Sequence, residues 1–229
     1  MALGIIGDIH GQIHVLSDIV KETVPYDNVV ANIQVGDMGI DKSQIKQWRK
    51  KKWKFDKPTY FIDGNHEDFD LLLNCSTVTE LLPNLFYVPR GTVMELDGRI
   101  VAFMGGAASI NYKQLLEINA FDLRENIADC DLARFHSNME KMGNPKVDLL
   151  VTHVPPQRII TKYFDGNGRR WEVRKMFGVP YDWEDHNAKI TEALWDELGN
   201  CDMVCGHMHQ NVQFESNSYV MAEFGFRTV

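Results

Sequence analysis

The 229-residue chain has no apolar run near the roughly 18 residues that a membrane helix requires, so no membrane span is expected. Cysteine is scarce. Cys75, Cys130, Cys201 and Cys205 form neither a C-x-x-C pair nor a zinc-ribbon spacing. They read as reduced, mostly buried thiols of a cytoplasmic protein. Positive charge is also in deficit: 24 Lys and Arg against 32 Asp and Glu give a net charge of -8. That argues against a protein built to hold long nucleic acid, although a local basic patch could still do so. The amino-terminal apolar run has no basic segment before it and carries a polar motif of its own. It is therefore expected to be mature structure and not a signal peptide. No repeat, linker or low-complexity stretch interrupts the chain, and 44% hydrophobic with 24% charged residues suits one globular domain over residues 1–229.

What the chain does have is a repeated unit of apolar run, polar tip and helix. Leu3 to Ile6 reads as a buried strand ending at Gly7-Asp8-Ile9-His10-Gly11. A helix over Ile13 to Val24 follows, with Ile13, Leu16, Ile19 and Val20 on one face. Val29 to Val35 is a second strand, ending at Gly36-Asp37-Met38-Gly39, and Lys42 to Phe55 a second helix. Thr59 to Ile62 is a third strand, ending at Asp63-Gly64-Asn65-His66-Glu67. Such alternation predicts an α/β sheet with ligands at the carboxyl ends of its strands.

Leu85 to Val88, Thr92 to Leu96 and Ile100 to Met104 are shorter strands, the last two joined by Asp97-Gly98 as a two-residue hairpin turn. The sheet is therefore mixed. Gly105-Gly106-Ala107-Ala108-Ser109 reads as a crowded bend. Residues 111–143 are loosely helical, with Leu115, Leu116, Ile118 and Phe121 expected to pack inward. Val147 to Thr152 is a buried strand ending at His153, and Pro155-Pro156 stops it. Residues 157–187 read as an irregular surface excursion. A helix over Ile190 to Leu198, a strand over Met203 to Cys205 ending at Gly206-His207-Met208-His209, and a hairpin over Val212 to Phe214 and Tyr219 to Ala222 complete the chain.

Of the 8 histidines, five directly follow apolar runs: His10, His66, His153, His207 and His209. Beside them stand Asp8, Asp37 and Asn65. One such residue is commonly a turn or core residue, but five successive strand ends with the same cargo are not chance. The donors exceed what one tetrahedral metal takes, whereas two metals sharing a carboxylate fit the count. Mixed imidazole, carboxylate and amide donors suit manganese, and also iron or zinc, better than magnesium.

These five motifs, in this order from residue 4 to residue 209, resemble the signature of the calcineurin-like metallophosphoesterase superfamily. The resemblance implies an α/β sandwich of two mixed β-sheets flanked by helices, with a dimetal site at strand ends. It further implies that Asp8, His10 and His209 hold one metal, that Asp37 bridges, and that Asn65, His153 and His207 hold the other. His66 would be the non-ligand histidine that protonates the leaving oxygen. The expected chemistry is hydrolysis of a phosphate monoester, including a phosphoprotein, by in-line attack of a hydroxide held between two cations.

Gly64-Asn65-His66-Glu67 with Asp8-Ile9-His10-Gly11 is closest in wording to the serine/threonine protein phosphatase branch. That branch carries an Asp-Arg pair after its second motif, and Gly36-Asp37-Met38-Gly39-Ile40-Asp41 has no arginine. The departure weighs against phosphoprotein substrates. Arg158, Arg169 and Arg170 are then the candidates for gripping phosphate, with solvated loop arginines as the plainer reading. Asp63 and Asp68 are candidate partners for His66. Arg49-Lys50-Lys51-Lys52-Trp53-Lys54 is either a solvated helix face or a steering patch for nucleic-acid phosphate. Two other functions compete: a phosphodiesterase or nuclease on the same site, and a binding module that has lost its chemistry.

Overall fold

A computed structural model describes residues 2–25, 28–165, 169–180 and 183–229, without the side chains of 169–171 and 173. Its elements run β1 (Ala2–Ile6), α1 (Ile13–Thr23), β2 (Val29–Gln34), α2 (Lys42–Lys50), β3 (Thr59–Phe61), α3 (Phe69–Leu72), β4 (Thr79–Leu82), β5 (Leu85–Tyr87), β6 (Thr92–Leu96) and β7 (Arg99–Met104). Then come α4 (Tyr112–Glu117), a 3-10 turn (Leu123–Glu125), α5 (Asp129–Lys141), β8 (Leu149–Thr152), α6 (Gln157–Tyr163), α7 (Arg169–Phe177), α8 (His186–Glu197), β9 (Asp202–Cys205), β10 (Val212–Glu215), β11 (Ser218–Val220) and β12 (Phe226–Thr228).

The strands form two mixed six-stranded sheets, ordered β12-β1-β2-β3-β5-β4 and β10-β11-β9-β8-β7-β6. In the first, β1, β2, β3 and β5 are parallel, with antiparallel edges at β12 and β4. In the second, β7, β8, β9 and β11 are parallel, with β6 and β10 antiparallel at the edges. The central strands read as unbroken apolar runs because both of their faces are covered. On β1, Leu3 and Ile5 enter the layer between the sheets while Ile6 meets α1 and α2. On β8, Leu149 and Val151 face that same layer and Leu150 packs outward with Phe135, Leu194 and Trp195. The fold is the expected helix-flanked sandwich. No helix among the described residues is long and apolar enough to cross a membrane.

Several local expectations are corrected. The second helix stops at Lys50, because Lys52 adopts a left-handed backbone (φ 55°) and the Trp53 N–H closes on the Trp48 carbonyl at 3.0 Å. That closure normally uses glycine, so the sequence carries no visible stop. Its start is legible, with the Asp41 carboxylate on the Gln44 N–H and the Gln44 side chain reciprocating on the Asp41 N–H. In 111–143 the packing side is not the expected one: Leu116 and Ile118 are 57% and 72% exposed, and Ile127 and Phe135 supply the core contacts. A six-residue helix has too few turns to bury a face.

The 157–187 stretch is more regular than expected. Pro155-Pro156 ends β8 but opens α6, which buries Ile159 and Ile160, and α7 follows. Gly166, Asn167 and Gly168 of its turn signal lie outside the described residues. Strands β4 and β12 and the short α3 escaped the sequence reading. All four thiols are free, but only Cys205 is buried, and Cys130 is exposed.

Candidate metal centre

Five strand ends converge: β1, β2 and β3 from one sheet, β8 and β9 from the other. The carboxyl edge of β1 supplies Asp8 and His10, β2 supplies Asp37, and β3 supplies Asn65 and His66. From the second sheet β8 supplies His153, and β9 supplies His207 and His209. Each tip turns sharply. His10, Asp37, His207 and His209 all have positive φ, between 48° and 66°, a region that His and Asp tolerate better than most residues. Glycine is required where the tips crowd: a Cβ on Gly64 would collide with the Asp37 carboxylate, and one on Gly206 with that of Asp8.

On one side, donor atoms of Asp8, His10, Asp37 and His209 lie within 4.8 Å of one another. His10 Nε2 faces His209 Nε2 at 3.1 Å, and His209 Nε2 lies 3.2 Å from Asp8 Oδ2. Those separations suit ligands sharing one ion with bonds of about 2.1 Å. Asp8 is wholly buried and is fixed by the His207 N–H, which donates to Oδ2 at 3.0 Å.

Asp37 stands between this group and a second one. Its Oδ2 is 3.9 Å from His10 Nε2, and its Oδ1 is 3.3 Å from His153 Nε2. His153 is fully buried and pinned through Nδ1 on the Val35 carbonyl at 2.8 Å, which leaves Nε2 facing inward. His207 packs edge-on against it, ring centroids 5.1 Å apart. Two buried atoms at these strand tips, His153 Nε2 and Asn65 Oδ1, have no hydrogen-bond partner among the described residues. An orphaned amide oxygen at that depth is costly unless something electropositive completes it. The donor types fit divalent cations, and the donor atoms of Asp8, His10, Asp37 and His209 lie close enough to share one.

Asp37 and His153 face each other as an ion pair. Burial opposes charge on both Asp37 and His153, but facing each other they outweigh it. Asp37 is held below the usual carboxylate range and His153 is pushed up to about 10. Desolvation holds His207 down at about 3, with the His153 charge adding to it, so its ring stays neutral and keeps a lone pair to donate. A hydrogen bond to Asp8 raises His209.

His66 stands beside this group without being buried in it. Its ring centroid is 5.5 Å from that of His10, and its backbone N–H donates to Asp37 Oδ1 at 2.9 Å. Desolvation lowers its pKa, Asp37 opposing. Neither expected carboxylate partners it. Asp63 is spent on Arg90 and Tyr87 (2.7 and 3.0 Å), and Asp68 caps α3 on the Leu71 N–H. A cavity of about 410 Å³ opens at His66, lined also by Asn65, Phe69, Leu115, Asp122 and Glu125.

The arginines are placed less simply. Arg158 lies on α6 and is engaged away from the cluster, with Asp196 at 2.8 Å, Asn200, and the ring of Trp195 4.4 Å beneath it. Arg169 and Arg170 begin α7, and their side chains lie outside the described residues. The basic run, Arg49 to Lys54, closes α2 and precedes β3. Lys57 just beyond it reaches the Val29 carbonyl at the amino end of β2, so the run sits at the opposite edge from the cluster. Sequence reasoning missed Glu67, Ser109 and Glu125. Glu67 was visible inside its motif, but Ser109 and Glu125 gave no signal.

No curated protein matches this sequence. Among solved structures, the phosphopantetheinyl hydrolase from Mycobacterium tuberculosis aligns with 100% of this chain and 95% of its own, at 12% identity and a TM-score of 0.48. The family model for calcineurin-like phosphoesterases matches residues 1–211, a stretch that includes all five tips. The chain belongs to the calcineurin-like phosphoesterase family and is a metal-dependent phosphoesterase.

Proposed function

We propose that the chain hydrolyses phosphate monoesters, with Asp8, His10 and His209 holding one divalent cation, Asn65, His153 and His207 a second, and Asp37 both. The observation that carries this reading is Asp37 itself, a buried carboxylate with one oxygen toward His10 and the other toward His153. When bound, the cations would lower the pKa of a water and offset charge on the phosphoryl oxygens. The protein's own part is to orient and to move a proton. Val35 sets the tautomer of His153, the His207 N–H fixes Asp8, and the His66 N–H holds Asp37. His66, next to Asn65 at the cavity mouth, donates its proton to the departing oxygen. The many imidazoles favour manganese over magnesium, with iron or zinc as the other choices. Four free thiols suit a reducing, cytoplasmic location.

A phosphodiesterase is the second reading. It is favoured because the stretch Gly36-Asp37-Met38-Gly39-Ile40-Asp41 has no phosphate-gripping arginine, and Arg158 is engaged elsewhere. Turnover of a nitrophenyl monoester, its bis-ester and short DNA with manganese separates the two. Monoester turnover should dominate, and bis-ester or DNA turnover far above it would reverse the assignment. Asp37→Asn should lose bound metal together with activity. Full metal retention would rule out its bridging role.

A further inference from the structure

Resting on the proposed role of Asn65 as a donor to the second cation, we infer that Ser109 and Glu125 are positioning residues. They fix the Asn65 carboxamide with its nitrogen spent and its oxygen free. A carboxamide has two nearly identical ends, and only the oxygen can face a cation. Something in the protein must therefore decide which way the group lies.

The decision is made by the direction of a short hydrogen-bond chain. Ser109 Oγ gives its single proton to Glu125 Oε2 at 2.7 Å, and the Ser109 N–H donates to Glu125 Oε1 at 2.8 Å. With its proton committed, the hydroxyl can only accept from Asn65, which lies 3.1 Å away through Nδ2. The amide nitrogen is thereby turned to Ser109, and Oδ1 becomes the buried, unpartnered atom. Ser109 and Glu125 are 1% and 2% exposed, so bulk water does not compete for these bonds.

The chain has a firm anchor. Arg90, itself 2% exposed, reaches the carbonyls of Arg124, Glu125 and Asn126 at 3.0, 3.1 and 2.5 Å and holds the 3-10 turn that carries Glu125. Asp63 neutralises Arg90 from the loop that leads to Asn65. From the other side, Asp185 accepts the Ala108 N–H at 2.7 Å. A bend read from sequence as mere crowding is thus the support of one metal donor.

The test is titration of the metal-free chain with Mn²⁺ by calorimetry, with electron paramagnetic resonance at two equivalents. Ser109→Ala should weaken the second ion about 10- to 100-fold, the effect usual for removing a ligand's supporting partner, and leave the first within about twofold. Wild type should give a spin-coupled pair where Ser109→Ala gives isolated Mn²⁺. Ser109→Thr, which keeps the hydroxyl, should restore the coupled signal. Glu125→Gln, similar in shape, should weaken the same ion and guards against misfolding of the alanine variant. Unchanged second-site affinity in Ser109→Ala and Glu125→Gln would overturn the relay while sparing the metal assignment, as would equal loss of both ions. A wild-type chain that takes only one ion would overturn the second site, and the relay with it.

Discussion

Glu67 Oε1 accepts the backbone N–H of Met38 at 2.7 Å, so a carboxylate from the loop after β3 grips the loop after β2. Its Oε2 takes the Gly39 N–H at 3.0 Å, and Oε1 also takes the Gly64 N–H at 3.2 Å. The tips carrying Asp37 and Asn65 are therefore one rigid piece. Glu67→Ala leaves three N–H groups without their acceptor, and the expected loss is about 1–3 kcal/mol in urea unfolding. A stability equal to wild type would show that water replaces the clamp.

The same residue sets a pH dependence. Burial pushes Glu67 up to about 8, with the charges of Asp37 and Asp63 adding to it. The folded chain thus keeps a proton that the unfolded chain releases near 4.5, so it binds more protons than the unfolded chain across that window. This contribution is complete below about 4.5 and is lost as pH rises through about 8. The urea midpoint of the metal-free chain should accordingly fall as pH rises between those values, and Glu67→Gln should flatten the slope. Identical slopes in the two proteins would refute the assignment.

His66→Gln should lower turnover of a monoester by about 10²- to 10⁴-fold, the usual worth of a proton donor, with metal content unchanged. Metal analysis beside the kinetics decides the point. A large loss of metal would make His66 a ligand or a ligand's support.

Arg90→Met should be severe for the fold. Asp63 is wholly buried beneath the guanidinium and would lose its counter-charge, keeping only the Tyr87 hydroxyl. Breaking such a pair costs about 3–5 kcal/mol. The double variant Arg90→Met, Asp63→Leu should recover part of that loss, and chemical denaturation of the three chains measures it. A double variant no better than the single one would show that Arg90 acts mainly through the three carbonyls it holds.

The converging tips were legible because each lies where an apolar run stops, and such a stop is a local property of the sequence. Continuous runs such as Leu149 to Thr152 announced strands covered on both faces. The edge strand Phe226–Thr228 announced nothing, since all three residues are exposed and its place is set by backbone pairing with β1. Glu67 stood inside a recognised motif, yet its partners Met38 and Gly39 lie 29 and 28 positions away. Ser109 meets Asn65 across 44 positions, and no pattern of neighbours encodes a contact made at that range. The exposed Leu116 and Ile118 misled for the opposite reason, because apolar spacing alone does not supply a surface to pack on.

The His207 N–H meets the Asp8 carboxylate across 199 positions of chain. During synthesis the Asp8, His10 and Asp37 jaw leaves the ribosome long before the His153, His207 and His209 jaw exists. A nascent chain carries half a claw, able to touch a cation but not to enclose it. On the proposed ligand assignment, catalytic competence arrives all at once, near the end of translation, and a product truncated ahead of Gly206 retains most of its mass without two of its ligands.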